Sequence, residues 1–274
     1  MPASIRVSSR NARFQQWQAL LTNRQKRQRA GEFLVQGVRP ISMAVRNGWP
    51  LRALIYEDRK SLSRWAEHIL GSSRVPRVAI APDLLRELGE KLDDPPELVA
   101  VAEIPPDHYT RILVQPGFLG VAFDRPSTPG NIGTLIRSAD AFGAAGVIVT
   151  GHAADPYDPK SVRASTGSLF SIPVVREASP QGVMAWVRSL REGGLPVVVV
   201  GTHENGAVDI ADFDLTQPAL IVVGNETTGL SSAWRDACDV VLRIPIAGSA
   251  SSLNAASAGT VALYEASRQR KGAR

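Results

Sequence analysis

The chain has a single cysteine, Cys238, in 274 residues. One thiol excludes an internal disulfide and a cysteine-based metal cluster. Histidine is scarce as well, with four copies, and no His/Asp/Glu group stands at metal-ligand spacing, so no metal is expected. No hydrophobic stretch follows Met1-Pro2-Ala3, which argues against a signal peptide. The longest apolar runs, such as Val197-Val198-Val199-Val200, are strand-sized and too short to span a bilayer. No membrane partner is expected, and a cytoplasmic location is the simplest reading. The phosphate-binding signatures GxGxxG and GxxxxGK[ST] are both missing. Gly130-Asn131-Ile132-Gly133 has the look of a dinucleotide-binding turn, but its spacing is wrong. No acidic residue ends the following apolar run, Val147–Thr150.

What is present begins with charge. The chain carries +5 overall, and its placement is uneven. Residues 1–50 hold nine basic residues against one acid, Glu32, a local +8 that leaves −3 for the rest. Concentrated basic charge suggests a polyanion partner, and Arg10, Arg13, Arg24, Arg27 and Arg29 are the residues expected to contact its phosphates. Five of the 31 basic residues are lysine; arginine suits bidentate phosphate contacts and stacking on bases, although genome composition produces the same bias.

Length and a 44% apolar content suit one or two globular domains. In the first hundred residues helical and strand patterns alternate. Phe14, Trp17, Leu20 and Leu21 recur at helical spacing. Strands are expected at Phe33–Val35, Leu51–Tyr56, Val78–Ile80 and Leu98–Ile104, with helices around Val45, at Leu62–Leu70 and at Asp83–Leu88. Ile104-Pro105-Pro106-Asp107 starts a linker, because paired prolines continue neither a helix nor a central strand. From Gly117 on, buried strands are expected at Phe118–Phe123, Gly146–Thr150, Pro196–Gly201, Ala219–Gly224 and Val240–Ile246. Helices at Ile132–Phe142, Gln181–Arg191, Ser232–Cys238 and Leu253–Arg270 separate them. Such alternation implies an α/β unit with a mostly parallel sheet, whose ligands sit at the carboxyl ends of the strands. The expected division is 1–106, a linker over 107–116, and 117–274.

Four segments at such strand ends carry candidate chemistry. Asn131 opens a helix and is either an N-cap or a site residue; Arg137, six residues on, is either a surface ion-pair partner or a functional cation. Gly201-Thr202-His203-Glu204-Asn205-Gly206 could bind a small ligand through backbone groups; His203 as a base competes with a solvated loop histidine. In Gly224-Asn225-Glu226-Thr227-Thr228-Gly229-Leu230-Ser231, Gly224 permits close approach of a ligand. Glu226 is either a carboxylate favoured by the helix that starts near Ser232 or an active-site anion. After Ile244-Pro245-Ile246, the small-residue loop Gly248–Ser252 exposes backbone groups, and Ser252-Leu253-Asn254 is either a helix cap or part of a site. The Ala-rich helix that follows permits close packing, within the domain or against a second subunit.

The strings NxGxxxR (Asn131–Arg137), GNExxGLS (Gly224–Ser231) and IPxxGxxxSLNxxxA (Ile244–Ala258) resemble, in order and spacing, the three motifs of the SpoU (TrmH-like) branch of the SPOUT RNA methyltransferases. The segment Gly31-Glu32-Phe33-Leu34-Val35-Gln36-Gly37, behind a basic helix, looks more weakly like the substrate-binding domain often fused to such enzymes, a small α/β unit with a ribosomal-protein-like fold. One departure is Ala255-Ala256, where relatives often carry valines.

The resemblance implies a SPOUT-type sheet with a deep trefoil knot, a topology that general rules would not anticipate, and an obligate homodimer. It implies S-adenosylmethionine as methyl donor, S-adenosylhomocysteine as product, and an RNA ribose 2′-hydroxyl as acceptor. Thr202, Gly224, Ile244, Pro245 and Leu253 would hold the donor; Asn131, Arg137, Glu226, Ser252 and Asn254 would form the catalytic cluster, with Arg137 stabilising the developing alkoxide. The separate N-terminal unit tilts the substrate toward 23S ribosomal RNA. Some family members confer antibiotic resistance through such methylation, a role that nothing in the sequence demonstrates here. A transfer RNA substrate, or a noncatalytic RNA-binding protein, are the alternatives.

Overall fold

The computed structural model describes residues 5–58, 61–89 and 96–272; Met1-Pro2-Ala3 lie outside them. The chain divides into two compact units. The first comprises Met1–Pro105 with Tyr157–Ser171, the second Pro106–Pro156 with Ile172–Arg274.

In chain order the first stretch runs β1 (Ile5–Val7), α1 (Ala12–Thr22), α2 (Arg24–Ala30), β2 (Glu32–Gln36), α3 (Val38–Arg46), β3 (Leu51–Glu57), α4 (Arg64–Ser72), β4 (Arg77–Ile80), α5 (Pro82–Gly89) and β5 (Leu98–Glu103). Polar residues punctuate the helices. The Asn11 side chain caps α1 by accepting from the Phe14 N–H, Asn23 caps α2 by accepting from the Lys26 N–H, and Gly31 at φ 66° ends α2, where a left-handed residue favours glycine. The five strands lie in the order β1-β4-β3-β5-β2. β1, β4 and β3 are parallel, while β5 is antiparallel to both neighbours. One face of this sheet packs Leu34, Ile55 and Val99 against Phe14, Trp17, Leu20 and Leu21 of α1 and Leu84, Leu85 and Leu88 of α5.

The second stretch runs β6 (Leu119–Asp124), α6 (Pro129–Ala141), β7 (Gly146–Thr150), α7 (Pro159–Ala164), β8 (Val174–Glu177), α8 (Pro180–Glu192), β9 (Val198–Thr202), β10 (Val208–Asp209), β11 (Ala219–Val223), α9 (Ser232–Ala237), β12 (Val240–Arg243) and α10 (Ala255–Gly272). Its seven strands are all parallel, ordered β10-β12-β9-β11-β6-β7-β8. From β6 the chain builds outward through β7 and β8, then resumes on β6's other side. This reversal puts a crevice at the carboxyl ends of β6 and β11. The small residues of α10 serve packing inside the unit: a Cβ at Gly259 would lie 2.6 Å from Leu135 Cδ1 of α6, and the Ser138 and Thr260 hydroxyls meet at 2.7 Å.

Three expectations are corrected. The interval 117–274 is not one unit, because α7 and the turn after it pack with the first: the Tyr157 and Phe170 rings lie 5.0 and 6.2 Å from the Phe33 ring, and Trp49 meets Phe170 edge-on at 5.0 Å. Residues 107–116 are not a free linker. Tyr109 stacks on Trp186 at 4.7 Å and donates to Glu177, and Asp107 accepts from the Arg176 N–H and guanidinium. Arg27 is no phosphate contact. It is 2% exposed, donates to the Leu20 and Leu21 carbonyls at 2.8 and 3.2 Å and pairs with Asp158 at 3.3 Å. Its neighbours on the sequence run outward: Arg13 and Arg29 are exposed, and Arg10 is exposed while pairing with Glu87.

Removing the Arg27 guanidinium would take a donor from two carbonyls and the cation from the partly buried Asp158 carboxylate. Arg27→Ala is expected to lower stability by about 3 kcal/mol, whereas Arg29→Ala should stay within about 0.5 kcal/mol. Urea unfolding measures both, and a loss below about 1 kcal/mol for Arg27→Ala would return it to the surface set.

Candidate active site

The crevice is built around one carboxylate. Glu226 follows β11 and reaches the start of α6. Its Oε2 accepts from the Ser127 N–H at 3.1 Å and the Ser127 hydroxyl at 3.0 Å; its Oε1 accepts from the Thr128 N–H at 3.3 Å and from Asn131 Nδ2 at 2.9 Å. Thr128 is the N-cap of α6 and makes no side-chain cap of its own, so Glu226 serves the helix start from across the crevice. The helix it favours is therefore α6, not the nearer α9, which Ser231 caps by accepting from the Trp234 N–H. Asn131 lies inside α6 and is no N-cap. Its Oδ1 accepts from Asn254 Nδ2 at 3.2 Å, and Asn254 Oδ1 accepts from the Ser257 N–H at 3.2 Å. Asn254 thus caps α10 and extends the chain of hydrogen bonds.

Burial pushes the Glu226 carboxyl up, but the hydrogen bonds from Asn131 and Ser127 outweigh it and hold the group below its ordinary range. Four donors occupy a carboxylate that has about four acceptor sites. Glu226 is therefore a fixed anion and a poor base.

The loop that carries Glu226 is folded by Asn225. Asn225 Oδ1 accepts from the Thr227 and Thr228 N–H groups at 2.8 and 3.2 Å, and Asn225 Nδ2 donates to the Arg125 carbonyl at 2.6 Å. A Cβ on Gly224 would come within 2.4 Å of the Gly229 backbone. Gly224 is thus required by the loop's own close packing. Arg125, which follows β6 at a positive φ of 49°, lies against buried Asp124 and donates to the Gly229 carbonyl at 3.2 Å. Asp124 in turn accepts from the Ser231 N–H at 2.8 Å. Sequence reasoning missed the parts of Ser127, Thr128 and Arg125; the Asn-x-Thr turn signature was the available signal for Asn225.

Beside Glu226 lies a cavity of about 240 Å³ at the ends of β9, β11 and β12. Thr202, Gly224, Ile244, Ser252 and Leu253 line it, together with His203 and Ile246. Apolar Ile244, Ile246 and Leu253 stand beside main-chain groups and the polar Asn225 and Thr228, a mixture suited to a ligand with a flat heterocycle and a polar tail. The Thr202 hydroxyl is turned away, donating to the Val222 carbonyl at 3.1 Å. His203 Nδ1 accepts from the Asn205 N–H at 3.1 Å, which leaves the neutral ring's proton on Nε2 and no free lone pair for a base.

Two expected site residues are not brought in. Pro245 is exposed and absent from the lining, although Ile244 and Ile246 on either side of it belong to it. Arg137 is exposed on α6. Six residues past Asn131, it points about 240° round the helix and lies about 9 Å along it. Cys238 plays no nucleophilic part: burial, then Asp239 and Asp124, push its thiol up to about 12. Among the described residues no cluster of three or more His, Cys, Asp or Glu could hold a metal ion, and no helix is long and apolar enough to cross a membrane.

This geometry has known counterparts. The SpoU rRNA Methylase family model matches residues 119–264, and the SpoU L30e-like domain matches residues 11–100. A 23S rRNA (uridine(2479)-2′-O)-methyltransferase of Streptomyces viridochromogenes is 64% identical over 98% of this chain and 94% of its own length. The crystal structure of the SpoU methyltransferase AviRb from Streptomyces viridochromogenes in complex with AdoMet superposes with a TM-score of 0.93, at 64% identity, over 97% of this chain and 100% of that one. An AdoMet-bound rRNA methyltransferase from Sinorhizobium meliloti superposes with a TM-score of 0.84 at 31% identity, over 96% and 97% of the two chains.

Glu226→Gln keeps the shape of the side chain but removes the charge and turns an NH2 group toward N–H donors. We expect catalytic turnover to fall about a hundredfold, the order that misplacement of a catalytic group costs. Because the folded carboxyl titrates below its ordinary range, its stabilising contribution is present above that range and is lost as pH falls through the folded value. The stability gap between wild type and Glu226→Gln should therefore close on acidification. A gap that stays constant from pH 7 to pH 3 in unfolding titrations would contradict this.

Proposed function

The chain belongs to the SpoU rRNA methylase family, and from that premise we propose that it methylates a ribose 2′-hydroxyl of 23S ribosomal RNA with S-adenosylmethionine as donor. The observation that carries this reading is the Glu226–Asn131–Asn254 chain beside a mixed polar and apolar cavity. Ile244, Ile246 and Leu253 with the main chain at Gly224 would hold the donor, which supplies an activated methyl group. Asn131 and Asn254, fixed by Glu226, orient the ribose; Ser252 faces the same cavity. A ribosomal RNA substrate sets the location as the cytoplasm.

The acceptor hydroxyl develops negative charge as it attacks, and Arg137 is the cation we assign to it. A guanidinium is a permanent cation, so its part is to stabilise charge and not to take the proton; a phosphate of the RNA is the acceptor we assign. Within one chain Arg137 diverges from Asn131 round α6. A second copy supplies it in a homodimer: the α6/α10 layer leaves Val261 37% and Tyr264 54% exposed, and Leu253 and Ile246 are 40% and 37% exposed at the cavity mouth. Burying such a face is the ordinary basis of a two-fold interface. In the first unit the exposed Arg13 and Arg29, with Arg10 and Arg24, serve RNA phosphates.

Arg137→Ala should nearly abolish methyl transfer to 23S ribosomal RNA and leave S-adenosylmethionine affinity unchanged by calorimetry. Activity within a few-fold of wild type at saturating RNA would exclude the charge-stabilising part. Mixing tests the shared site. Dimers formed from equal amounts of Arg137→Ala and Glu226→Gln should recover about a quarter of wild-type activity, because half are mixed and each mixed dimer has one complete site. No recovery in dimers shown to exchange would put Arg137 to work in its own chain.

A further inference from the structure

The first unit contains a second cavity, of about 430 Å³, far from the residues above in sequence. Its walls come from the starts of α3 and α4, the start of β5, and α7. They bring together an indole, Trp65, two guanidiniums, Arg39 and Arg163, one carboxylate, Glu97, and the amide of Gln36. Such a volume falls within the range of about 300–1,000 Å³ usual for small-ligand sites.

The walls are fixed from behind. Trp65 Nε1 donates to the Ser42 hydroxyl at 2.9 Å, and that hydroxyl donates to the Val38 carbonyl at 2.7 Å. The indole is thereby held by its edge while the side chain stays partly exposed. Buried Gln36 donates to the Leu88 carbonyl at 2.6 Å and accepts from Arg163 Nη1 at 2.8 Å, which fixes a cation on the wall. Glu97 accepts from the Ser63 N–H at 2.7 Å and the Ser63 hydroxyl at 2.6 Å. Arg39, at the mouth, is exposed.

An aromatic face beside two arginines matches the chemistry of a nucleotide. Unstacked bases stack on aromatic rings, guanidiniums grip the phosphate, and a carboxylate accepts from the donor edge of a base. Resting on the reading that this chain acts on RNA, we propose that this cavity receives one unstacked nucleotide of the RNA, with its base on Trp65 and its phosphate on Arg39 and Arg163. The methylated ribose lies in the other unit's crevice, so this is a recognition site and a different nucleotide.

The test uses the full chain. Binding of fluorescein-labelled, mixed-sequence single-stranded hexaribonucleotides is followed by anisotropy, and KM for 23S ribosomal RNA is measured beside it. Trp65→Ala and Arg39→Ala should each weaken hexamer binding about tenfold, the scale of one lost base stack or phosphate contact. Both should raise KM with kcat and S-adenosylmethionine affinity unchanged, and Trp65→Phe should restore binding. Hexamer binding and KM within twofold of wild type in Arg39→Ala, whose exposed side chain is not needed for folding, and in folded Trp65→Ala would overturn the proposal. So would 5′-mononucleotides competing as well as the hexamer, which would make this a site for a free nucleotide. Trp65-dependent hexamer binding without any methylation of 23S ribosomal RNA would sink the methylation reading and leave the pocket standing. Methylation with KM indifferent to both variants would do the reverse.

Discussion

The structure of the catalytic unit turns on one anion. Glu226 is placed by a loop that Asn225 folds, and it is satisfied by two backbone N–H groups and a hydroxyl at the start of α6 and by Asn131 within it. These donors come from a segment about a hundred residues earlier in the chain. A partly buried carboxylate is costly unless hydrogen-bonded, and a helix start is costly unless its N–H groups are met. Each satisfies the other, so the loop after β11 and the loop after β6 hold one register. Asn131 then presents its carbonyl oxygen to Asn254, and the third segment joins the first two. Arg125 reinforces the same seam by reaching the Gly229 carbonyl.

Much of this was legible in the sequence, for identifiable reasons. Strands β6, β7, β9 and β11 stand out because parallel strands buried on both faces read as continuous apolar runs. Asn131, Glu226 and Asn254 were marked by the resemblance of their three motifs to the SpoU family; local pattern alone left each of them open as a helix cap or helix-end group. The partners were not legible. The local pattern offered α9 as the helix for Glu226, whereas the fold brings α6; periodicity says which residues share a face, not which strands are neighbours. β8 was missed because Arg176 and Glu177 interrupt its apolar pattern, and β1 because it has three residues.

Arg27 shows the limit most plainly. In the run Arg24-Gln25-Lys26-Arg27-Gln28-Arg29 nothing local separates it from its neighbours. Its partner Asp158 lies 131 residues away, and only the return of residues 157–171 to the first unit makes that position interior. Charge counting therefore could not separate Arg27 from the exposed arginines around it. The same return brings Arg163 to Gln36, so residues 157–171 contribute both to the core of the first unit and to the cavity wall.

The arrangement also decides what kind of catalysis this site can perform. Glu226 has its acceptor sites filled and titrates low, His203 has its free nitrogen taken by the Asn205 N–H, and the half-buried Cys238 thiol is held protonated. Each of these three titratable side chains is thus committed elsewhere. What the site offers is orientation, by the amides of Asn131 and Asn254 linked to one fixed anion, to which the proposed mechanism adds the charge of Arg137. For a reaction whose methyl donor is already activated, that suffices: alignment supplies much of the barrier reduction, and a cation at the developing alkoxide supplies the differential stabilisation. In the mechanism we propose, the proton leaves through a phosphate that the substrate brings beside the ribose, which makes turnover conditional on RNA seated in the correct register.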